Sequence, residues 1–170
     1  MSTPWDSSWP SWAGPEAVSE ITGYLGERFG FASHLFSDYR WLVTKESWWL
    51  VRNSEFLREA GRLKVSRVGM KAVSRVGAFI KPTTRFAQAF GHAASRAKVT
   101  VDRVTLARLI EGRTVPLDLD LEPGYVILAL PGDCVLGMGL YLNGTLRSQL
   151  PRKELHAAMF SRAPDEIIHA

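Results

Sequence analysis

Residues 124–150 read GYVILALPGDCVLGMGLYLNGTLRSQL, and this stretch decides the fold of the second half of the chain. Gly124–Leu130 is an unbroken apolar run of strand length. Pro131-Gly132-Asp133 supplies turn residues, and Cys134–Leu142 is a second strand. Asn143-Gly144 is the strongest two-residue hairpin signal, because both positions must take positive φ. Thr145–Leu150 is the return strand and Pro151 ends it. The Gly137-Met138-Gly139 segment lies inside a strand, where glycines mark close backbone approach or a bulge. A phosphate-binding glycine loop would instead open a helix.

Working upstream, Asp102 is placed to cap a helix over Arg103–Glu111 that Gly112 ends. Lys98–Val101 reads as a short extended link. Lys81-Pro82-Thr83-Thr84 opens another helix through Phe90, with Thr83 as N-cap, Gly91 as stop and Phe86, Ala89 and Phe90 as its packing face. These two helices mimic a helix-turn-helix, but the roughly eleven-residue connection is too long for one. Val65-Ser66-Arg67-Val68-Gly69 recurs as Val73-Ser74-Arg75-Val76-Gly77, and its alternation predicts two strands. Two copies are too few for a solenoid. A short helix capped by Asn53 or Ser54 runs through Arg58 and ends at Gly61.

Arg40–Val43 and Ser47–Arg52 form a hairpin around Thr44-Lys45-Glu46. Pro15 to about Arg28 is an amphipathic helix with Val18, Ile21, Tyr24 and Leu25 on one face. Residues 1–14 are a Ser-, Pro- and Trp-rich arm. Either its tryptophans dock on the body, or they offer a partner or a base a stacking surface. A last helix is expected from Arg152 to about Phe160. The switch from mixed to β character places a boundary near residue 98, after a small α/β unit over 15–98 and before an antiparallel barrel-like unit over 99–170. The expected fold class is α+β.

At 170 residues the chain buries about 70% of its unfolded surface, enough for a core without staples. One cysteine, Cys134, excludes an internal disulfide and fits a reducing cytoplasm. No apolar run reaches membrane-spanning length, and no signal peptide is expected.

Charge is segregated. Residues 64–114 hold eleven Lys/Arg and two acidic groups, whereas residues 1–63 balance to −2 and residues 115–170 to −3. A concentrated basic block points to a polyanion, most simply a phosphate backbone. The expected RNA contacts are Lys64, Arg67, Lys71, Arg75, Lys81, Arg85, Arg96 and Lys98, several sharing one face, with Arg147, Arg152 and Lys153 extending the surface. A solvated charged face is the plainer alternative.

The second half resembles the PUA domain, a small RNA-binding pseudo-barrel. The likeness rests on Leu109-Ile110-Glu111-Gly112-Arg113-Thr114-Val115, Gly124-Tyr125-Val126-Ile127-Leu128, Gly132-Asp133-Cys134-Val135-Leu136-Gly137-Met138-Gly139 and the Asn143-Gly144 hairpin. With Val68-Gly69, Lys81-Pro82-Thr83 and Gly144-x-Leu146-x-x-x-Leu150-Pro151-Arg152, residues of about 30–155 resemble the C-terminal region of Sun-family ribosomal RNA cytosine-5 methyltransferases. There a small α/β unit precedes a PUA-like domain. The likeness implies structured RNA as ligand, with ribosomal RNA ahead of transfer RNA, and places Gly137, Met138 and Gly139 near the RNA-facing surface. Those enzymes also need a catalytic domain of some two hundred residues and a pair of cysteines, which this chain has no room for. The resemblance therefore implies RNA binding without methyl transfer.

Cys134 with His34, His92, His156 or His169 is a conceivable nucleophile and base, but no Cys-His signature surrounds it, and a core thiol is expected. The histidines lack metal-ligand spacing. Asp118, Asp120 and Glu122 alternate in an extended segment, read as a solvated acidic loop rather than a Mg²⁺ site. Trp41, Trp48 and Trp49 are core or a protein-docking surface. The expectation is a cytoplasmic, non-catalytic RNA-binding protein without cofactor or metal, serving ribosome assembly or RNA modification, beside a ribosomal particle or a separate modifying enzyme. The alternative is a docking scaffold or accessory subunit with little RNA affinity.

Overall fold

A computed structural model of the chain describes residues 11–61, 63, 68–77 and 79–151. The fold is mixed α+β, and the described residues form two five-stranded sheets with flanking helices. The chain divides into two units, Met1–Phe86 and Ala87–Ala170. The division precedes the expected boundary at 98, and Lys98–Thr100 is a sheet strand of the second unit, not a link.

In the first unit, helix α1 (Pro15–Phe29) starts at a proline, whose missing N–H costs nothing in the first turn, and stops at Gly30 in the left-handed conformation. Its buried stripe is Ile21, Leu25 and Phe29. Strands β2 (Tyr39–Thr44) and β3 (Ser47–Arg52) form the expected hairpin. Strand β1 (Ser11–Trp12) lies antiparallel on its outer edge. β4 (Met70–Val76) and β5 (Phe79–Pro82) complete the order β1-β2-β3-β4-β5. The second copy of the sequence repeat therefore lies in β4, while most of the first copy is outside the described residues. Helix α2 (Leu57–Gly61) begins later than expected, because Ser54 forms a turn with its Oγ accepting from the Phe56 amide.

One face of this sheet carries the core. Trp41 packs edge-on against Phe36 at 5.6 Å between ring centres, and Phe31 and Phe86 follow at 5.9–6.0 Å spacings. Each such pair adds roughly 0.5–1.5 kcal/mol beyond its buried area. Helix α3 (Thr84–Phe90) is placed by Thr83, whose Oγ1 accepts from the Phe86 amide at 3.1 Å and donates to the Lys71 carbonyl at 2.7 Å.

The second unit has the order β6-β8-β9-β10-β7, from β6 (Lys98–Thr100), β7 (Val115–Pro116), β8 (Gly124–Leu130), β9 (Cys134–Leu142) and β10 (Thr145–Ser148). The meander β8-β9-β10 is as read from sequence. The sheet is not wholly antiparallel, however: β6 pairs parallel with β8, Val99 opposite Leu128. Helix α4 (Arg103–Ile110) buries Leu106 and Leu109. Its cap is Asp102, whose carboxylate accepts from the Thr105 amide at 2.7 Å. β8 is buried along Tyr125–Ala129, as an apolar run covered on both faces requires. Burial also raises the Tyr125 phenol above its ordinary value. Among the described residues no helix is long and apolar enough to cross a membrane.

Candidate nucleic-acid interface

The basic residues of the first unit do not form one face. In an uninterrupted strand Lys71 and Arg75, four apart, would project to the same side. Here Trp48 pairs with Val73 and Trp49 with Lys71, so Ala72 is an extra residue in β4. This bulge reverses the alternation between them. Lys71 shares a face with Trp49, whereas Arg75 turns to the core side, pairs with Glu20 of α1 and stands 5.5 Å from the Trp48 ring centre. Arg75 is therefore engaged within the protein. Lys81, opposite Ser74, is on the Lys71 side. Arg85 is exposed on α3.

The face opposite the core has a definite composition. Trp12, Leu42, Trp49 and Lys71 stand in register across β1, β2, β3 and β4. Directly paired residues project to the same side. Two contacts agree with that assignment. The Arg40 guanidinium lies 3.8 Å over the Trp12 ring centre, and Trp49 Nε1 donates to Thr44 Oγ1 at 3.2 Å. Trp12 is 41% exposed, so the end of the arm is a strand with one indole face against the hairpin. Trp41 and Trp48 are buried on the other side. Arg40 is absent from the RNA contacts expected from sequence, whereas Trp12 belongs to the arm for which base stacking is one of two readings. The signal was the alternation Arg40-x-Leu42-x-Thr44 facing Ser47-x-Trp49-x-Val51.

In the second unit Arg96 and Arg147 are exposed. Lys98 is tied down: its Nζ bonds Asp133 Oδ1 at 2.8 Å and the His92 carbonyl at 3.4 Å, bracing the Pro131–Asp133 turn. Gly137, Met138 and Gly139 are buried, which corrects their expected place at an RNA-facing surface. They serve packing. Leu128 pairs with Gly137 and Ala129 with Val135, leaving Leu136 as a bulge, and Gly137 takes φ 151°. A Cβ on Gly139 would stand 3.0 Å from the Leu128 side chain. Lys64, Arg67, Arg152, Lys153, His156, His169 and the expected last helix lie outside the described residues.

Cys134 is exposed at the start of β9 rather than buried, because the Pro131-Gly132-Asp133 turn brings the strand end to the surface. Asp118, Asp120 and Glu122 are exposed and form a loop. Tyr141 Oη fixes that loop from inside, donating to the Leu117 carbonyl at 3.1 Å and accepting from the Leu119 amide at 3.2 Å. Among the described residues no three His, Cys, Asp or Glu side chains gather as a metal set. β6 lies between α3 and α4, which removes the helix-turn-helix reading. No protein-family model matches the chain, and no curated protein matches its sequence.

Proposed function

We propose that this chain is a non-catalytic RNA-binding protein whose second unit is PUA-like and whose ligand is structured RNA. Ribosomal RNA is the favoured substrate and transfer RNA the next, in ribosome assembly or RNA modification. One observation carries the reading: eleven Lys/Arg against two acidic residues over 64–114, in a chain of net charge +4. Exposed Lys71, Arg85 and Arg96 within that block support it. Counterion release on phosphate binding would supply most of the affinity. Arg75 and Lys98 act instead as braces, through Glu20 and Asp133.

The test is binding of labelled ribosomal RNA, transfer RNA and duplex DNA across a salt series. A variant with Lys64, Arg67, Arg85 and Arg96 all changed to Ala is compared. Tight RNA binding with a steep salt slope is expected, the slope shrinking by about 0.7–0.9 for each phosphate the variant no longer neutralises. Absence of RNA binding at low salt, or a variant that binds like the wild type, would overturn the reading. It would favour the second one, protein docking, for which Phe79 at 64% and Val76 at 49% exposure, paired beside the β4–β5 turn, are the specific observation.

A further inference from the structure

We infer that the outer face of the first sheet is a stacking platform for unpaired bases, so that the RNA bound by this chain includes a single-stranded segment. The inference rests on the RNA-binding reading and adds what that reading lacks, a surface for bases as distinct from phosphates.

Strand register sets the geometry of this face. Trp12 and Trp49 occupy the same cross-strand row, separated by one strand. At a strand spacing of about 4.8 Å their backbones lie roughly 10 Å apart. Val76 pairs with Phe79 and Ser74 with Lys81, which puts Phe79 on this face as well, while Ile80 and Pro82 alternate into the core. The face thus carries Trp12, Trp49 and Phe79 interleaved with Arg40, Lys71 and Lys81. None of the paired residues assigned to it is acidic.

Burial separates this arrangement from a packed core. Trp12 is 41% and Phe79 64% exposed, and Arg40 and Lys71 are exposed too. Leu42, between the two indoles, is fully buried and Trp49 is half-buried, so the exposed ring surface on this face is that of Trp12 and Phe79. The two indoles are held before any ligand arrives. Arg40 stacks on Trp12, and the Thr44 hydroxyl holds the Trp49 indole. Preorganised rings lose little freedom on binding. A base adds a third layer to an Arg–Trp stack without requiring any particular sequence, because every base has a π-face. The basic groups beside the rings attract the backbone that joins such bases. An apolar protein segment would satisfy the rings but would offer no counter-charge to Arg40 and Lys71, so the charge favours a polyanion as occupant.

The experiment uses the whole chain and a fluorescent twelve-nucleotide oligouridine, with an RNA duplex of equal length as the comparison. Variants are Trp12→Ala, Arg40→Ala and Trp12→Phe, each checked for an unchanged thermal transition. Trp12→Ala is expected to weaken single-strand binding about ten-fold, within the range for removing one stack. Trp12→Phe should restore most of it, and duplex binding should not move. The strand should quench tryptophan emission in the wild type and less in Trp12→Ala. Unchanged single-strand affinity in Trp12→Ala and Arg40→Ala, with RNA binding otherwise intact, overturns the platform and leaves the basic-block reading standing. No binding to any nucleic acid overturns both. A Trp12-dependent dimer in sedimentation would assign the face to a second copy and overturn the platform.

Discussion

Gly69 sits where only glycine fits without strain: φ is +67°, and an added Cβ would stand 2.5 Å from the Leu50 carbonyl oxygen. The obstacle is backbone, so a neighbour's rotamer change cannot relieve it. Gly69→Ala is expected to cost roughly 1–3 kcal/mol from the positive φ alone, and more from the clash, measured as a lowered urea midpoint. Asp102 gives a pH-dependent counterpart. The Thr105 amide, then the Thr105 hydroxyl, bond its carboxylate and hold it below the usual carboxylate range. Its stabilisation is fully present above the ordinary unfolded value of about 3.9 and is lost as pH falls through the lower folded value. Asp102→Asn keeps a competent cap but cannot titrate. Its melting temperature should fall less steeply than that of the wild type between about pH 4 and the folded value, in melts taken across an acid series. The Asp102 and Thr83 caps were legible as single residues because a cap bonds within its own helical turn. The exposure of Cys134 was not, since it depends on where the preceding turn leaves the strand end.

At the scale of elements, Thr83 joins two pieces of structure. It caps α3 and also bonds the Lys71 carbonyl. Thr83→Ala removes both bonds and is expected to destabilise by about 1–2 kcal/mol, while Thr83→Ser should restore most of that, both measured by chemical denaturation. The neighbouring strand shows why spacing misassigned the basic face. Alternation along β4 was visible, but the extra residue at Ala72 was not, because a bulge is defined against the partner strand. It sends Lys71 outward and Arg75 to Glu20. β6 escaped for a similar reason: three residues carry too little pattern, and their parallel partner lies beyond α4, β7 and a loop.

For the whole molecule, charge segregation is the property that acts at a distance. Eleven basic residues over 64–114 between ends of −2 and −3 would steer a polyanion toward the middle of the sequence. If six to nine of them met phosphate, affinity would drop about 10³–10⁵-fold between 50 and 200 mM salt. Stacking on Trp12 and Trp49 would persist at the higher salt, so a residual, Trp12-dependent affinity for single strands there would separate the two contributions. The sequence by itself determined the α+β class, the hairpins over 40–52 and 124–148, the Asp102 and Thr83 caps and the basic block. Each is set by the chemistry of neighbouring residues. Only the tertiary structure decided which cations turn outward and which brace the fold, that Gly137–Gly139 pack inside, and that Trp12, Trp49 and Arg40 meet on one face. Those outcomes depend on pairing between segments far apart in the chain, where a single inserted residue exchanges inside for outside.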